Sequence, residues 1–243
     1  MKTILKIKFD NTFYIFLILI LLSGMFKEFS FIFILIIFHE LGHAITGVLL
    51  GFKLEKIIIY PYGGITKFNN LLNTNLNKEV LVIVMGPVIQ IITYFILNKI
   101  FKYNYIKTYH LSILIFNLLP ILSLDGGKLL NIILNKFFSY LKSFYISVFI
   151  SFISIFSLLI YSLIYYKNLN LFLMMIFLLF KIYISIKNIK YNYQRFLLER
   201  YLYDFNFKKN KFIKNIYDFS KEYYHYIEGI DEKKYLEKYY KRV

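Results

Sequence analysis

Residues 29–50 form an almost uniformly apolar run, and inside it lies the polar island Phe38-His39-Glu40-Leu41-Gly42-His43-Ala44. On a helix, side chains four positions apart share a face, so His39 and His43 can offer both imidazoles to one ion with Glu40 beside them. This H-E-x-x-H spacing suits zinc: the histidines are its ligands and the glutamate is a general base toward water. The competing reading is two core histidines and a glutamate whose carboxylate reaches toward water. It is disfavoured because ionisable groups in a membrane helix are costly unless paired or used.

The 243-residue chain is 58% hydrophobic with a mean hydropathy of +0.56. It is too apolar for a water-soluble domain and long enough for several membrane spans. The formal charge of +16 comes from lysines that flank apolar runs, which reads as topology signals and contacts with anionic lipid. The high Phe and Tyr content accompanies Ile, Asn and Lys, as AT-rich coding would produce, so no nucleic-acid partner is expected. There is no cysteine, which excludes disulfides and thiolate ligands. A zinc site here must use His, Asp and Glu, the ligand set of open catalytic sites.

Several elements must position the island. Lys2, Lys6 and Lys8 precede an apolar run over 13–23, expected to be a retained helix because no small-x-small cleavage site is evident. Lys27-Glu28 turns the chain into the second span, 29–50. Residues 53–60 and 65–68 read as strands of a hairpin around Pro61-Tyr62-Gly63-Gly64. The hairpin is either an ordinary connection or an edge that receives an unwound peptide. The third span, 78–97, contains Met85-Gly86-Pro87, which predicts a kinked or loosened helix, for packing or for room beside a site.

The fourth apolar run, 110–122, is short, contains Asn117 and Pro120, and leads to Asp125-Gly126-Gly127. A helix that stops at membrane depth beside a cavity is expected. Residues 128–143 read as an amphipathic interfacial stretch. Spans over 144–166 and 169–186, joined by Lys167-Asn168, lack acidic residues and histidine and are expected to be structural. From 188 to 243 the chain turns polar and basic, with Arg195, Arg200 and Lys208 near its start and Lys241 and Arg242 near its end. A small helical or α+β appendage is expected there, with His110 at the interface and His225 exposed or lightly packed.

The fold class is therefore an all-α polytopic membrane protein of about six transmembrane helices with a short β-hairpin after the second. Residues 1–187 form the membrane domain and 188–243 a cytoplasmic segment. Six spans put both termini on one side, and the basic ends place that side in the cytoplasm. Span two then carries His39 and His43 past its midpoint, and span four delivers Asp125 at its inner end. All three fall in the cytoplasmic half of the bilayer, and a third protein ligand plus one water would complete an open zinc site.

His39-Glu40-Leu41-Gly42-His43, with Asn117-Leu118-Leu119-Pro120 and Asp125-Gly126-Gly127, resembles the site-2 protease family of intramembrane zinc metalloproteases, peptidase family M50. The order of the spans and Pro61-Tyr62-Gly63-Gly64 look most like the stage IV sporulation protease branch of endospore-forming bacteria. The resemblance implies one zinc ion held by His39, His43 and Asp125, Glu40 as the catalytic glutamate, and Asn117 and Pro120 shaping the substrate groove. Asn117 would there bind the extended substrate or help stabilise the oxyanion, and it could equally fix span four through an interhelical hydrogen bond. The branch implies a membrane-associated sigma-factor precursor as substrate, inhibitory membrane proteins as partners, and the cell membrane or the membrane around the forespore as location. Two departures stand out. Gln90 occupies a position where many relatives carry asparagine, and the tail over 188–243 is short for the nucleotide-binding CBS domain that often ends this branch, so the resemblance implies at most a truncated CBS-like region there.

Two other functions are weighed. A catalytically inactive scaffold or chaperone of the same fold would retain polar groups in hydrocarbon without using them. A metal transporter would need polar groups through several spans, and spans one, five and six offer almost none.

Overall fold

The computed structural model describes residues 6–60, 63–70, 72–165, 169–207 and 209–241. Lys2, the Pro61-Tyr62 and Lys167-Asn168 turns, Lys208 and Arg242 lie outside the described residues. The chain is mostly helical and divides into two compact units: Met1–Asn70 with Val80–Asn117, and Leu71–Glu79 with Leu118–Val243.

The first unit begins with strand β1 (Ile7–Phe9) and helix α1 (Asn11–Ser23), whose N-cap Asp10 accepts from the Thr12 N–H at 3.0 Å. Helix α2 (Phe26–Leu49) follows, then strands β2 (Leu54–Tyr60) and β3 (Gly63–Phe68). The expected hairpin is present, with β2 and β3 antiparallel and Ile58 opposite Ile65. β1 adds a third strand, parallel to β2, with Ile7 opposite Ile57. Nothing local announces β1: three residues among lysines become a strand only by pairing with a segment about fifty residues away. Ile57 and Ile59 pack with Phe13 and Ala44, which seats the sheet against α1 and α2.

Helix α3 (Leu76–Phe101) runs unbroken through Pro87, so the expected loosening does not interrupt it. Helix α4 (Asn104–Leu118) ends before Pro120, as the short fourth run predicts. Phe31, Leu35, Leu97 and Ile106 form the buried cluster that joins α2, α3 and α4.

The second unit contains helices α5 (Asp125–Phe137), α6 (Tyr140–Tyr165) and α7 (Leu169–Leu202). α5 lies against a row of serines on α6: Asn131 donates to Ser147 Oγ at 3.1 Å, and the Leu122 N–H donates to Ser151 Oγ at 2.8 Å. Small hydroxyl side chains permit this close helix approach and satisfy the backbone of the turn before Asp125.

Among the described residues, four helices are long and apolar enough to cross a membrane: α2, α3, Tyr140–Ile164 of α6 and Leu171–Leu202 of α7. The 13 residues of α1 and 15 of α4 span about 20 and 22 Å, short of the roughly 30 Å hydrocarbon layer.

After α7 come β4 (Lys209–Ile213), β5 (Tyr223–Ile227), β6 (Ile230–Asp231) and α8 (Glu232–Lys241). β4 pairs parallel with β5, and β5 antiparallel with β6. Phe219, Ile227 and Leu236 join Phe196 and Leu197 of α7 in one core. This is the expected α+β appendage, but His225 is not exposed: it is fully buried. Its Nδ1 lies 2.9 Å from Glu232 Oε2, and its Nε2 accepts from the Ser220 N–H at 3.1 Å.

Burial holds the His225 pKa below its ordinary value, the nearby Arg200 and Lys211 push the same way, and Glu232 opposes them. Nε2 is already an acceptor, so a second proton would also break the Ser220 bond. With the folded pKa below the unfolded one, this stabilisation is present above about pH 6.5 and is lost as pH falls. Amide exchange in β5 and α8 should therefore quicken from pH 7.5 to 5.5, after correction for intrinsic rates. His225→Gln should flatten that dependence, and an unchanged slope would remove His225 as its source.

Candidate active site

α2 carries the island as one uninterrupted helix, with His39, Glu40 and His43 all buried. His39 Nδ1 lies 3.0 Å from Gln90 Oε1 and His43 Nδ1 lies 2.8 Å from the Val82 carbonyl oxygen, both partners on α3. Each partner is an acceptor, so each Nδ1 carries the proton and each Nε2 becomes the electron-pair donor. The two Nε2 atoms are 3.1 Å apart. Two lone pairs at that distance repel unless a cation lies between them. Tetrahedral zinc with bonds of about 2.0–2.1 Å separates two nitrogens by roughly 3.3 Å. The pair therefore fits zinc, and its tautomers are set by hydrogen bonds behind the ligands, as in other zinc–histidine sites.

Glu40 meets the sheet. Thr66 Oγ1 on β3 is 2.7 Å from Glu40 Oε2 and 3.2 Å from the Glu40 carbonyl oxygen. A hydroxyl has one proton to give, and the shorter contact makes the carboxylate its main acceptor. Thr66→Val keeps the shape and removes that bond. It is expected to lower kcat about tenfold with KM and zinc content unchanged; steady-state kinetics would show a KM effect instead if Thr66 only bound substrate.

Two glycines permit this closeness. A Cβ on Gly64 would collide with the Glu40 side chain, and one on Gly86 would fall against the His43 ring. The Gly-Pro of α3 thus gives room beside the site. Gly86→Ala should displace His43 and weaken zinc binding about 10–100-fold in chelator competition; parent-like affinity would show that the ring tolerates the methyl group.

Asp125 is the first residue of α5 in the second unit, buried, with Lys128 Nζ 2.9 Å from its Oδ1. Pro120 lies in the turn before α5. Asn117 lies in the last turn of α4 in the first unit, and its side chain makes no hydrogen bond among the described residues. Thr66 carried no signal in the sequence. Gln90 had one, as the lone polar residue between Val80 and Ile92.

A model of Peptidase family M50 matches residues 28–104, the stretch that holds α2 from Glu28 onward, the hairpin and α3. Stage IV sporulation protein FB of Bacillus subtilis (strain 168) is 30% identical over 209 residues, covering 82% of this chain and 72% of that protein. The chain belongs to peptidase family M50.

A zinc metalloprotease of Methanocaldococcus jannaschii is 32% identical to this M50 chain over 123 residues, covering 47% of the chain and 36% of that protein. The solved structure of a site-2 protease from the same organism superposes with a TM-score of 0.55 at 28% identity, covering 72% of this chain and 88% of that one. The M50 chain is thus a zinc metalloprotease of the site-2 type and an integral membrane protein.

Proposed function

We propose that this M50 protease hydrolyses a peptide bond of a membrane-associated protein near the cytoplasmic face, and that its substrate is a membrane-tethered sigma-factor precursor processed during sporulation. Asp125 joins His39 and His43 as the third zinc ligand, and Glu40 is the general base. The observation that carries this reading is the arrangement on α2: two Nε2 donors 3.1 Å apart with a carboxylate, steadied by Thr66, between them in sequence. The sporulation role draws its support from the likeness to Stage IV sporulation protein FB. α1 and α4, each extended by the non-helical residues that flank it, complete about six spans, residues 188–243 form a cytoplasmic segment, and membrane proteins act as inhibitors. The basic segments at both ends support a cytoplasmic location for the termini.

Zinc, when bound, supplies Lewis acidity that acidifies water and polarises the scissile carbonyl. Glu40 accepts a proton from the attacking water at its carboxylate and returns it to the amine nitrogen as the C–N bond breaks. Thr66 holds one carboxylate oxygen during both transfers. A helical substrate must first unwind, because its peptide bonds are hydrogen-bonded internally. β3 is an edge of its sheet, and a strand added there would run beside Thr66 and therefore beside Glu40. Asn117 and Pro120 shape the groove that holds the extended peptide.

Co-expression with candidate membrane-tethered precursors tests the substrate class. Cleavage of a sigma-factor precursor by the parent and its loss in His43→Ala are expected. A precursor that is bound but never cut by the zinc-loaded parent would favour a scaffold role, and cleavage by His43→Ala would remove His43 from the site.

A further inference from the structure

We propose that His110 is a positioning residue for the zinc centre, acting through Gln90; the inference rests on His39 being a zinc ligand. His110 is not at an interface, as its place near a span boundary suggested. It is 4% exposed, with its ring stacked on Tyr94 at a centroid distance of 4.3 Å and an interplanar angle of 8°. Gln90 and Tyr94 are one helical turn apart on α3 and so face His110 together.

Gln90 Nε2 lies 3.2 Å from the His110 carbonyl oxygen and 3.3 Å from His110 Nδ1. An amide nitrogen has two protons and acts only as a donor, so His110 Nδ1 is an acceptor here. These two acceptors decide which way the amide faces. Reversed, its oxygen would confront the His110 carbonyl and its NH2 would confront His39 Nδ1. In the observed orientation Oε1 accepts from His39 Nδ1 at 3.0 Å, which places the His39 lone pair on Nε2, the atom that faces His43 Nε2.

The two histidines therefore differ in how they are fixed. His43 donates to a backbone carbonyl, that of Val82, which no side-chain substitution removes. His39 depends on a side-chain amide, and that amide depends in part on the His110 ring. The stack on Tyr94 holds the ring plane so that Nδ1 meets Gln90. Partners behind metal-bound histidines commonly change metal affinity by about 10–100-fold, and His110 stands one step further back.

The full-length chain in detergent allows the test. His110→Phe keeps a ring on Tyr94 and removes the acceptor; His110→Asn offers an amide oxygen in its place. Zinc affinity by chelator competition should fall about tenfold in His110→Phe, and His110→Asn should recover most of the loss. In the zinc-free protein, 15N spectra of labelled histidines should show His39 with its proton on Nδ1 in the parent and a mixture of tautomers in His110→Phe. Parent-like affinity and an unchanged His39 signal in His110→Phe would overturn the proposal while leaving the zinc ligands intact. If His110→Phe does not fold, a folded His110→Asn that binds zinc as weakly as Gln90→Leu would overturn it. A parent that binds no zinc would sink the ligand assignment of His39 itself, and the tautomer measurement would still judge His110.

Discussion

Glu40→Gln is expected to reduce peptide hydrolysis by about 10²–10⁴-fold, the usual contribution of a positioned general base, with zinc content unchanged. The substitution keeps the shape of the side chain and an oxygen that can accept from Thr66, whose hydroxyl lies 2.7 Å from Glu40 Oε2. What it removes is a carboxylate able to take up and return a proton, the role proposed for Glu40. The His39 and His43 hydrogen bonds to Gln90 and Val82 do not involve Glu40, so metal affinity should persist. Single-turnover cleavage of a membrane-tethered substrate, with zinc measured on the same preparation, separates the two effects. Loss of zinc along with activity would make Glu40 part of the metal site, and parent-like cleavage would end its assignment as the base.

The second large effect concerns stability. Arg200, near the end of α7, is fully buried. Its guanidinium donates to Glu232 Oε1 at 3.0 Å, to the carbonyls of Ser220 and Lys221 at 2.6 and 2.8 Å, and to Asn73 Oδ1 at 2.7 Å. Phe196, Phe207 and Phe219 surround it within cation–π distance. Arg200→Met fills most of the space but removes the cation from the buried Glu232 carboxylate and leaves it, among the described residues, only the His225 backbone N–H and ring. Removing one partner of a buried ion pair costs about 3–5 kcal/mol, enough to unfold the segment from β4 to α8. Amide exchange should show that segment fully open in Arg200→Met, and adding Glu232→Gln should restore part of its protection. Undiminished protection in the single variant would mean that the apolar core of Phe219, Ile227 and Leu236 holds the segment alone.

What the sequence disclosed follows the range of each interaction. The H-E-x-x-H motif needs only helical periodicity, so both histidines and Glu40 were legible. The hairpin was legible too, because glycine and β-branched runs mark strands and turns locally. β1 was hidden, since its partner is β2 across a long separation. Thr66 was hidden for the same reason: an isolated threonine acquires its role only when the sheet folds onto α2. His110 and His225 read as surface residues because they sit near polar stretches, yet each is buried by partners from other elements, Gln90 and Tyr94 for one and Glu232 with Arg200 for the other. Gln90 was visible as a departure from the family pattern, and its hydrogen bond to His39 explains how that position remains useful.

The proposed zinc site has three protein ligands, His39, His43 and Asp125. Zinc stoichiometry and affinity of the purified chain are to be measured beside those of Asp125→Ala, with X-ray absorption at the zinc edge to count imidazoles. The prediction is one zinc per parent chain with two imidazole ligands, and in Asp125→Ala a loss of affinity of at least tenfold with both imidazoles retained. An Asp125→Ala protein that binds zinc as tightly as the parent would contradict the three-ligand site.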